Sequence, residues 1–418
     1  MKVLNFGSCN IDYVYTVDRI VISGETKESS SLEVFSGGKG LNQSIAIAKA
    51  GTKVYHAGCV GNDGEMLISV LEENEVDVSL VKRVDDKTGH AIIQLTDDGQ
   101  NSIILYRGAN GLLSKEYIDE VLKDFCCGDV LLLQNETNNV DYIIDSAYKK
   151  GLKIFFNPAP FSEQVKKIDF SKISYLIVNE IEAQGIGGKS TPEENVKHIS
   201  EKYQSINVIL TVGSKGAFYT ECGEIKYQPA MKVDVVDTTA AGDTFIGYLL
   251  AGITKGETMV SAVKRATVAS AIAVTKKGAA VSIPKREEVI MAEKILKPNL
   301  CAVDKNQIFK DKIVKYLQDN LCIASLNGLA KTLCYSNGYT SELINKLFGK
   351  PFSELLIDMR CNLAAELLIN TDLSVAEIIY NVGYENASFF RKIFKNRYGK
   401  TPYAFKKMKK GDSDDVKA

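Results

Sequence analysis

The chain has no stretch approaching the roughly 20 consecutive apolar residues that a membrane-spanning helix needs. Its first residues, Met1-Lys2-Val3-Leu4-Asn5-Phe6-Gly7, lack the long apolar core of a secretory signal and read as an opening strand. The nine cysteines are odd in number and form no CxxC pair, which argues against a zinc ribbon or a disulfide framework. Adjacent Cys126 and Cys127 read as packing thiols, and the expected compartment is a reducing cytosol with no membrane partner. No excess of one charge is present either, with 51 basic against 52 acidic residues.

What is there suggests a soluble protein of more than one domain. At 418 residues the chain exceeds one ordinary domain, and 45% hydrophobic with 25% charged residues is enough for real cores. The balanced charge hides an asymmetry. Residues 1 to 304 carry 33 basic and 40 acidic side chains, whereas residues 305 to 418 carry 18 and 12. An acidic body with a basic tail fits an enzyme joined to a polyanion-binding module.

Up to about residue 295, short apolar runs alternate with amphipathic helical stretches. Val3 to Phe6, Val130 to Leu133, Ile154 to Phe156, Leu176 to Val178 and Val208 to Thr211 have the character of buried strands. Asn42 to Ala50, Val140 to Lys149 and Pro192 to Lys202 have helical periodicity. Such alternation predicts a mostly parallel sheet covered by helices on both faces. Residues 11 to 35 and 88 to 106, around Asp97-Asp98-Gly99, alternate polar and apolar residues and predict a small antiparallel flap. From Gln307 onward only helical periodicity remains, with breaks expected at Asn327-Gly328, Asn337-Gly338, Gly349, Asp372 and Gly383. Phe348-Gly349-Lys350-Pro351-Phe352 is echoed by Tyr398-Gly399-Lys400-Thr401-Pro402-Tyr403, as two copies of a helix-turn-helix unit would be. The expected domains are therefore 1–296 and 305–410, joined through a short connection around 297 to 304.

Two segments carry chemistry. In Asp237-Thr238-Thr239-Ala240-Ala241-Gly242-Asp243-Thr244-Phe245, a small-residue turn enters a helix with a carboxylate at its mouth. Backbone N–H groups around Ala240, Ala241 and Gly242 can stabilise charge on a phosphoryl group, and Asp243 stands where a base would take a hydroxyl proton. The second segment is the Gly-rich loop Ser36-Gly37-Gly38-Lys39-Gly40-Leu41-Asn42-Gln43. Together they resemble the paired signatures of the ribokinase-like (PfkB) sugar kinases, and the resemblance extends over residues 3 to 284.

It implies a three-layer α/β/α domain with a flap, and transfer of a phosphoryl group from ATP to a sugar hydroxyl. By this match Asn10, Asp12, Gly38, Lys39, Gly40, Asn42 and Glu136 hold the sugar, and Asp243 is the catalytic base. Asn179, Thr211, Gly213, Ser214, Lys215, Gly216, Gly242, Asp243 and Thr267 meet ATP, although relatives often carry a different residue at the Thr267 position. Glu182, in Asn179-Glu180-Ile181-Glu182, organises Mg²⁺ through water. Asp237, Thr239, Ala273, Lys276, Gly278 and Ser282 surround K⁺, Lys276 through its carbonyl. Lys39 favours ribose, with fructose 1-phosphate or a nucleoside as alternatives, and a homodimer through the flap is expected.

Residues 307 to 406 resemble the DNA-binding domain of AraC-type regulators, carried by Ser374 to Tyr384 followed by Asn386-Ala387-Ser388-Phe389-Phe390-Arg391-Lys392-Ile393-Phe394-Lys395. Phe390, Ile393 and Phe394 form the expected buried face, leaving Ser388, Arg391 and Lys395 to duplex DNA. The upstream copy departs from this pattern: its reading helix carries Glu342 and few basic residues. The rival to an enzyme is a regulator whose kinase fold only senses a ligand. Intact Lys39, Gly242 and Asp243 speak against it, since a sensor has no chemical need of base and anion hole together.

Overall fold

The computed structural model describes residues 1–96, 100–299, 305–333, 335–371, 373–384 and 386–411. Asp97-Asp98-Gly99, Asp372, Glu385 and residues 300 to 304 lie outside the described residues. The chain divides into two compact units, Met1–Ala302 and Val303–Ala418. No helix among the described residues is long and apolar enough to cross a membrane.

The first unit is built on thirteen described strands. They are β1 (Val3–Phe6), β2 (Asn10–Val17), β3 (Ser31–Gly37), β4 (Val54–Val60), β5 (Asp77–Arg83), β6 (Gly89–Thr96) and β7 (Asn101–Tyr106). Then follow β8 (Val130–Gln134), β9 (Lys153–Asn157), β10 (Tyr175–Asn179), β11 (Asn207–Thr211), β12 (Gly216–Glu221) and β13 (Glu224–Pro229). Nine of them form one sheet in the order β13-β12-β11-β10-β9-β8-β1-β4-β5, parallel from β5 to β11 and antiparallel beyond. All the short apolar runs of the sequence lie in it.

Successive strand residues face opposite layers, so each central strand feeds two cores. Val3, Val130 and Leu132 pack with Leu41, Phe245 and Leu249 on one side. Leu4, Leu131 and Leu133 pack with Ile118, Ile143 and Val196 on the other. The three-layer arrangement is thus written in the alternation of fully buried residues.

The flap has the order β3-β2-β6-β7 and is not purely antiparallel as expected. β2 pairs with β6 in parallel, while β2–β3 and β6–β7 are antiparallel. The reason is connectivity: helices and two strands of the large sheet intervene between β3 and β6, so β6 re-enters beside β2 in the same direction. The sequence does not mark β4, β5, β12 and β13: β5, β12 and β13 mix polar with apolar residues, and the apolar run of β4 is broken by His56 and Gly58.

The second unit is helical throughout its described residues, with helices Lys305–Asp319, Leu326–Leu333, Asn337–Phe348, Phe352–Asn370, Val375–Asn381, Ala387–Tyr398 and Pro402–Gly411. The long helix Phe352–Asn370 serves two cores. Leu355 and Leu356 pack with Leu329 and Ile344, and Ala364 and Leu368 pack with Ile378, Phe390 and Phe394. Gly349, Gly383 and Gly399 close their helices with left-handed backbone. Asn327-Gly328 and Asn337-Gly338, expected as breaks, instead lie in first helical turns. The true starts are at Ser325, whose hydroxyl accepts from the Gly328 N–H at 3.1 Å, and Ser336, whose hydroxyl accepts from the Tyr339 N–H at 3.3 Å.

Candidate functional site

The polar residues of the first unit gather just beyond the carboxyl ends of its parallel strands. Ser8 follows β1, Glu136 follows β8, Asn157 closes β9, Asn179 closes β10 and Thr211 closes β11. Open α/β sheets leave their crevice there. The helix Lys39–Lys49 and the helix Ala241–Thr254 start at the same rim, bringing Asn42 and Asp243 together across 201 positions of sequence.

Asp243 is buried in the first turn of its helix. Its two oxygens accept from different amides: Oδ2 from Asn42 Nδ2 at 3.1 Å, and Oδ1 from Gln43 Nε2 at 2.9 Å. Asn42 Oδ1 is buried and meets no donor. The Lys39 ammonium is held above the ordinary lysine range, chiefly by Asp243, with Glu136 and Glu182 adding to the effect against burial. Glu136 accepts from the Ser8 hydroxyl and from the Lys39 backbone N–H, the latter at 3.0 Å, and burial pushes its carboxyl up.

Asn10 is buried, with Oδ1 accepting from Asn110 Nδ2 at 2.8 Å. Gly38 precedes the helix with φ 95°. Gly40 has both backbone groups engaged within the protein. Its N–H donates to Ser8 Oγ at 3.2 Å, and its carbonyl accepts from Asn5 Nδ2 at 2.8 Å. Its lack of a side chain lets the helix approach β1.

Burial, and then the nearby Glu136 carboxylate, push Asp12 up to about 6. The folded state therefore holds the proton more tightly than the unfolded chain. Asp12 lowers stability as the pH rises from the usual carboxylate range to about 6, with no further effect above. If ionised Asp12 accepts sugar hydroxyls, the KM for sugar should rise roughly fourfold from about pH 7.5 to about pH 5.5, in proportion to the ionised fraction lost. The dependence should vanish in Asp12→Asn, and a flat wild-type profile would place the sugar elsewhere.

Beside Asp243 lies a cavity of about 290 Å³. Thr211, Gly213, Ser214, Gly216, Gly242 and Thr267 line it, uniting six positions read separately from the sequence. Asn179 and Lys215 are not in its lining. Met231, Val233, Val235, Phe245 and Val274 supply apolar wall that no motif announced. Thr267 returns its hydroxyl to the Val263 carbonyl at 2.8 Å, within its own helix.

At the helix mouth, Ala240 adopts left-handed backbone with φ 57° and ψ 10°, a conformation costing a residue with a Cβ about 1 kcal/mol. The Ala241 N–H, expected to face an anion, donates to the Thr238 carbonyl at 3.2 Å. The N–H groups of Gly242 and Asp243 meet no protein acceptor among the described residues, and Gly242 is exposed.

Asn179 and Glu182 form a capping box. Asn179 Oδ1 accepts from the Glu182 N–H, and Glu182 Oε2 accepts from the Asn179 N–H, both at 2.9 Å. Burial raises the Glu182 carboxyl. Asp237 joins two loops: Oδ1 accepts from the Thr239 N–H at 2.9 Å and Oγ1 at 2.6 Å, and Oδ2 accepts from the Gly278 N–H at 2.9 Å. The Ala273 carbonyl accepts from the Lys276 N–H at 3.1 Å, and the Lys276 ammonium pairs with Glu288 at 2.9 Å. Ser282 is buried and donates to the Ala279 carbonyl at 2.8 Å, which does not tie it to Asp237.

In the second unit, Asn386 caps the helix Ala387–Tyr398 by accepting from the Ser388 and Phe389 N–H groups. Phe390 and Phe394 are fully buried and Ile393 partly so, leaving Ser388, Arg391 and Lys395 exposed on one helix. Glu342 is exposed on the helix Asn337–Phe348.

The cavity opens beside a held carboxylate at the strand ends, and together with the family match it marks a phosphotransferase acting on an alcohol group. Residues 1–286 match the pfkB family of carbohydrate kinases, and the chain belongs to that family. Residues 329–408 match a helix-turn-helix domain of the AraC type. The ribokinase of Haemophilus influenzae is 34% identical over 293 residues, 68% of this chain and 95% of that protein. The ribokinase of Cryptococcus neoformans, solved with ADP, aligns with a TM-score of 0.63 at 34% identity, covering 69% of this chain and 99% of that one. The ribokinase of Arabidopsis thaliana, solved with ribose and ATP, aligns with a TM-score of 0.62 at 28% identity, covering 70% and 99%.

Proposed function

We propose that the first unit transfers the γ-phosphoryl group of ATP to the primary hydroxyl of a free pentose, D-ribose foremost, with Asp243 as the base. The observation that carries this is the pairing of Asp243 with Asn42. Asn42 gives its amide N–H to the carboxylate and keeps a buried, unpartnered Oδ1. A buried acceptor without a donor is costly, and a sugar hydroxyl would satisfy it. That hydroxyl array would then lie beside the carboxylate that takes the proton.

ATP fits the neighbouring cavity, where Gly242 and Asp243 N–H groups would meet the transferring phosphoryl oxygens. Lys39, whose charge already answers to Asp243, Glu136 and Glu182, would balance the phosphates. The ribokinase solved with ribose and ATP supports the same pair of ligands here.

Among the described residues no three His, Cys, Asp or Glu side chains cluster as a metal cage. Mg²⁺ keeps several waters and binds mainly to phosphates, so Glu182 would hold it through water; when bound it neutralises phosphate charge. Asp237 is bound to the 273–282 loop through the Gly278 N–H, and its carboxylate with the carbonyls of that loop would supply oxygen donors to K⁺. The exposed flap residues Leu32, Ile104 and Leu105 support dimerisation through that sheet.

An ATP-consumption assay across pentoses, fructose 1-phosphate and nucleosides, run with K⁺ and then with a bulky organic cation, tests the proposal. Turnover fastest with ribose and raised by K⁺ is expected. No turnover with any acceptor, alongside ligand-dependent DNA binding, would restore the sensor reading.

The second unit is proposed to bind duplex DNA and to place the protein in the cytosol beside its genes. Arg391 and Lys395 are exposed on a capped helix, while the companion helix offers the acidic Glu342, so the second half should carry most of the phosphate contact. Lys395→Ala should weaken binding evenly across sequences and reduce the slope of log affinity against log salt by about 1. Titrating labelled upstream DNA with and without ribose and a non-hydrolysable ATP analogue measures both this and any coupling. An unchanged slope would remove Lys395 from the interface.

A further inference from the structure

Gln43 adjoins Asn42, and its side chain is fully buried with both polar atoms engaged within the protein. It lies within a set of buried amides connecting β1, β8 and β9 beneath the site. Gln43 Nε2 donates to Asp243 Oδ1 at 2.9 Å and to Asn157 Oδ1 at 3.3 Å, and Gln43 Oε1 accepts from Gln134 Nε2 at 2.7 Å. Gln134 Nε2 also donates to Asn5 Oδ1 at 3.0 Å. Both outer ends of the set are anchored on backbone. Asn157 Nδ2 donates to the Ile177 carbonyl at 3.0 Å, and Asn5 Nδ2 donates to the Gly40 carbonyl at 2.8 Å.

The anchors decide the direction of every bond between them. A backbone carbonyl only accepts, so Asn157 and Asn5 must turn their NH₂ groups outward and their oxygens inward. The inward oxygens then require donors from Gln43 and Gln134. Gln134, donating, faces Gln43 Oε1, which leaves the Gln43 NH₂ group nowhere to point but Asn157 and Asp243. A side-chain amide is otherwise free to present either end; here two peptide carbonyls fix it as a donor toward the carboxylate.

We propose that Gln43 is a positioning residue for phosphoryl transfer, holding the Asp243 carboxylate in a single rotation through this polarised amide ladder. Asn42 holds one oxygen from the sugar side and Gln43 holds the other from beneath, so the carboxylate cannot turn when the hydroxyl arrives. A misplacement of about 1 Å at a reacting group costs about 10²-fold in rate, so such a restraint has room to matter. Gln134 touches neither Asp243 nor any sugar-facing oxygen named above, yet it sets which end of Gln43 faces the base. The proposal rests on Asp243 being the base.

Two variants of the full chain test it. Gln43→Met keeps length and removes the donor. Gln134→Met keeps length and removes the donor that holds Gln43 Oε1, so the Gln43 amide is no longer fixed with its NH₂ group toward Asp243. In each, kcat with ribose and ATP should fall by about 10-fold or more while the KM for sugar stays within about twofold. Combined with Asp243→Asn, Gln43→Met should cause no further loss, because it acts only through that carboxylate. Melting curves with and without ADP identify which variants fold, and the folded ones decide the matter. Unchanged kcat in a folded variant, or losses that multiply with Asp243→Asn, would overturn the ladder. Normal turnover of Asp243→Asn alone would instead overturn the base assignment, so the two failures are distinguishable.

Discussion

Asp243→Asn should lower turnover by about 10²-fold or more while nucleotide binding persists. The substitution preserves volume and one acceptor, but the oxygen facing Asn42 or Gln43 becomes an amide that cannot take a proton. Both neighbours approach Asp243 as N–H donors, so one contact also turns repulsive. The Gly242 and Asp243 N–H groups that would meet phosphate are backbone and stay in place. Nucleotide affinity, measured by ADP titration, should therefore change little. A variant with near-normal kcat would show that the catalytic centre lies elsewhere.

Gly40→Val should destabilise the first unit by more than about 3 kcal/mol. A Cβ at Gly40 would stand 2.3 Å from Gly7 Cα and 2.3 Å from Ser8 N. Both are backbone, with no flexible side chain to give way. The helix Lys39–Lys49 would have to lift off β1, parting Asn42 from Asp243 and breaking the bond from Asn5 to the Gly40 carbonyl. Chemical denaturation should show a lower midpoint for this unit, and kcat should fall with it. A stable, active Gly40→Val would mean that the close approach does not support the site.

Much of the site could be read from short segments because its chemistry is local. Asp243 with Gly242, and Lys39 with Asn42, each lie within one helix mouth, where backbone amides and a side chain are ordered by a few consecutive residues. Sheet strands such as Val130–Gln134 were equally legible, since burial on both faces demands an unbroken apolar run. The reading helix Ala387–Tyr398 announced itself through the spacing of Phe390 and Phe394.

Other features depend on contacts between distant segments. The parallel pairing of β2 with β6 follows from the route of the chain between them, which periodicity does not encode. Gly40 looked like part of a ligand loop, and only the nearness of Gly7 shows its packing role. The Ala241 N–H looked available until Thr238 was seen to accept from it.

The amide ladder makes the contrast sharpest. Local residue types already determined that this chain carries the signatures of a pfkB-family kinase and a helix-turn-helix tail, because each is a short-range arrangement of glycine, carboxylate and apolar spacing. Tertiary structure alone decided that Gln43, Gln134, Asn5 and Asn157 meet beneath Asp243 and that Gln43 turns its donor toward it. An amide side chain carries donor and acceptor alike, so its identity in the sequence leaves its direction open until fixed carbonyls from other strands choose one.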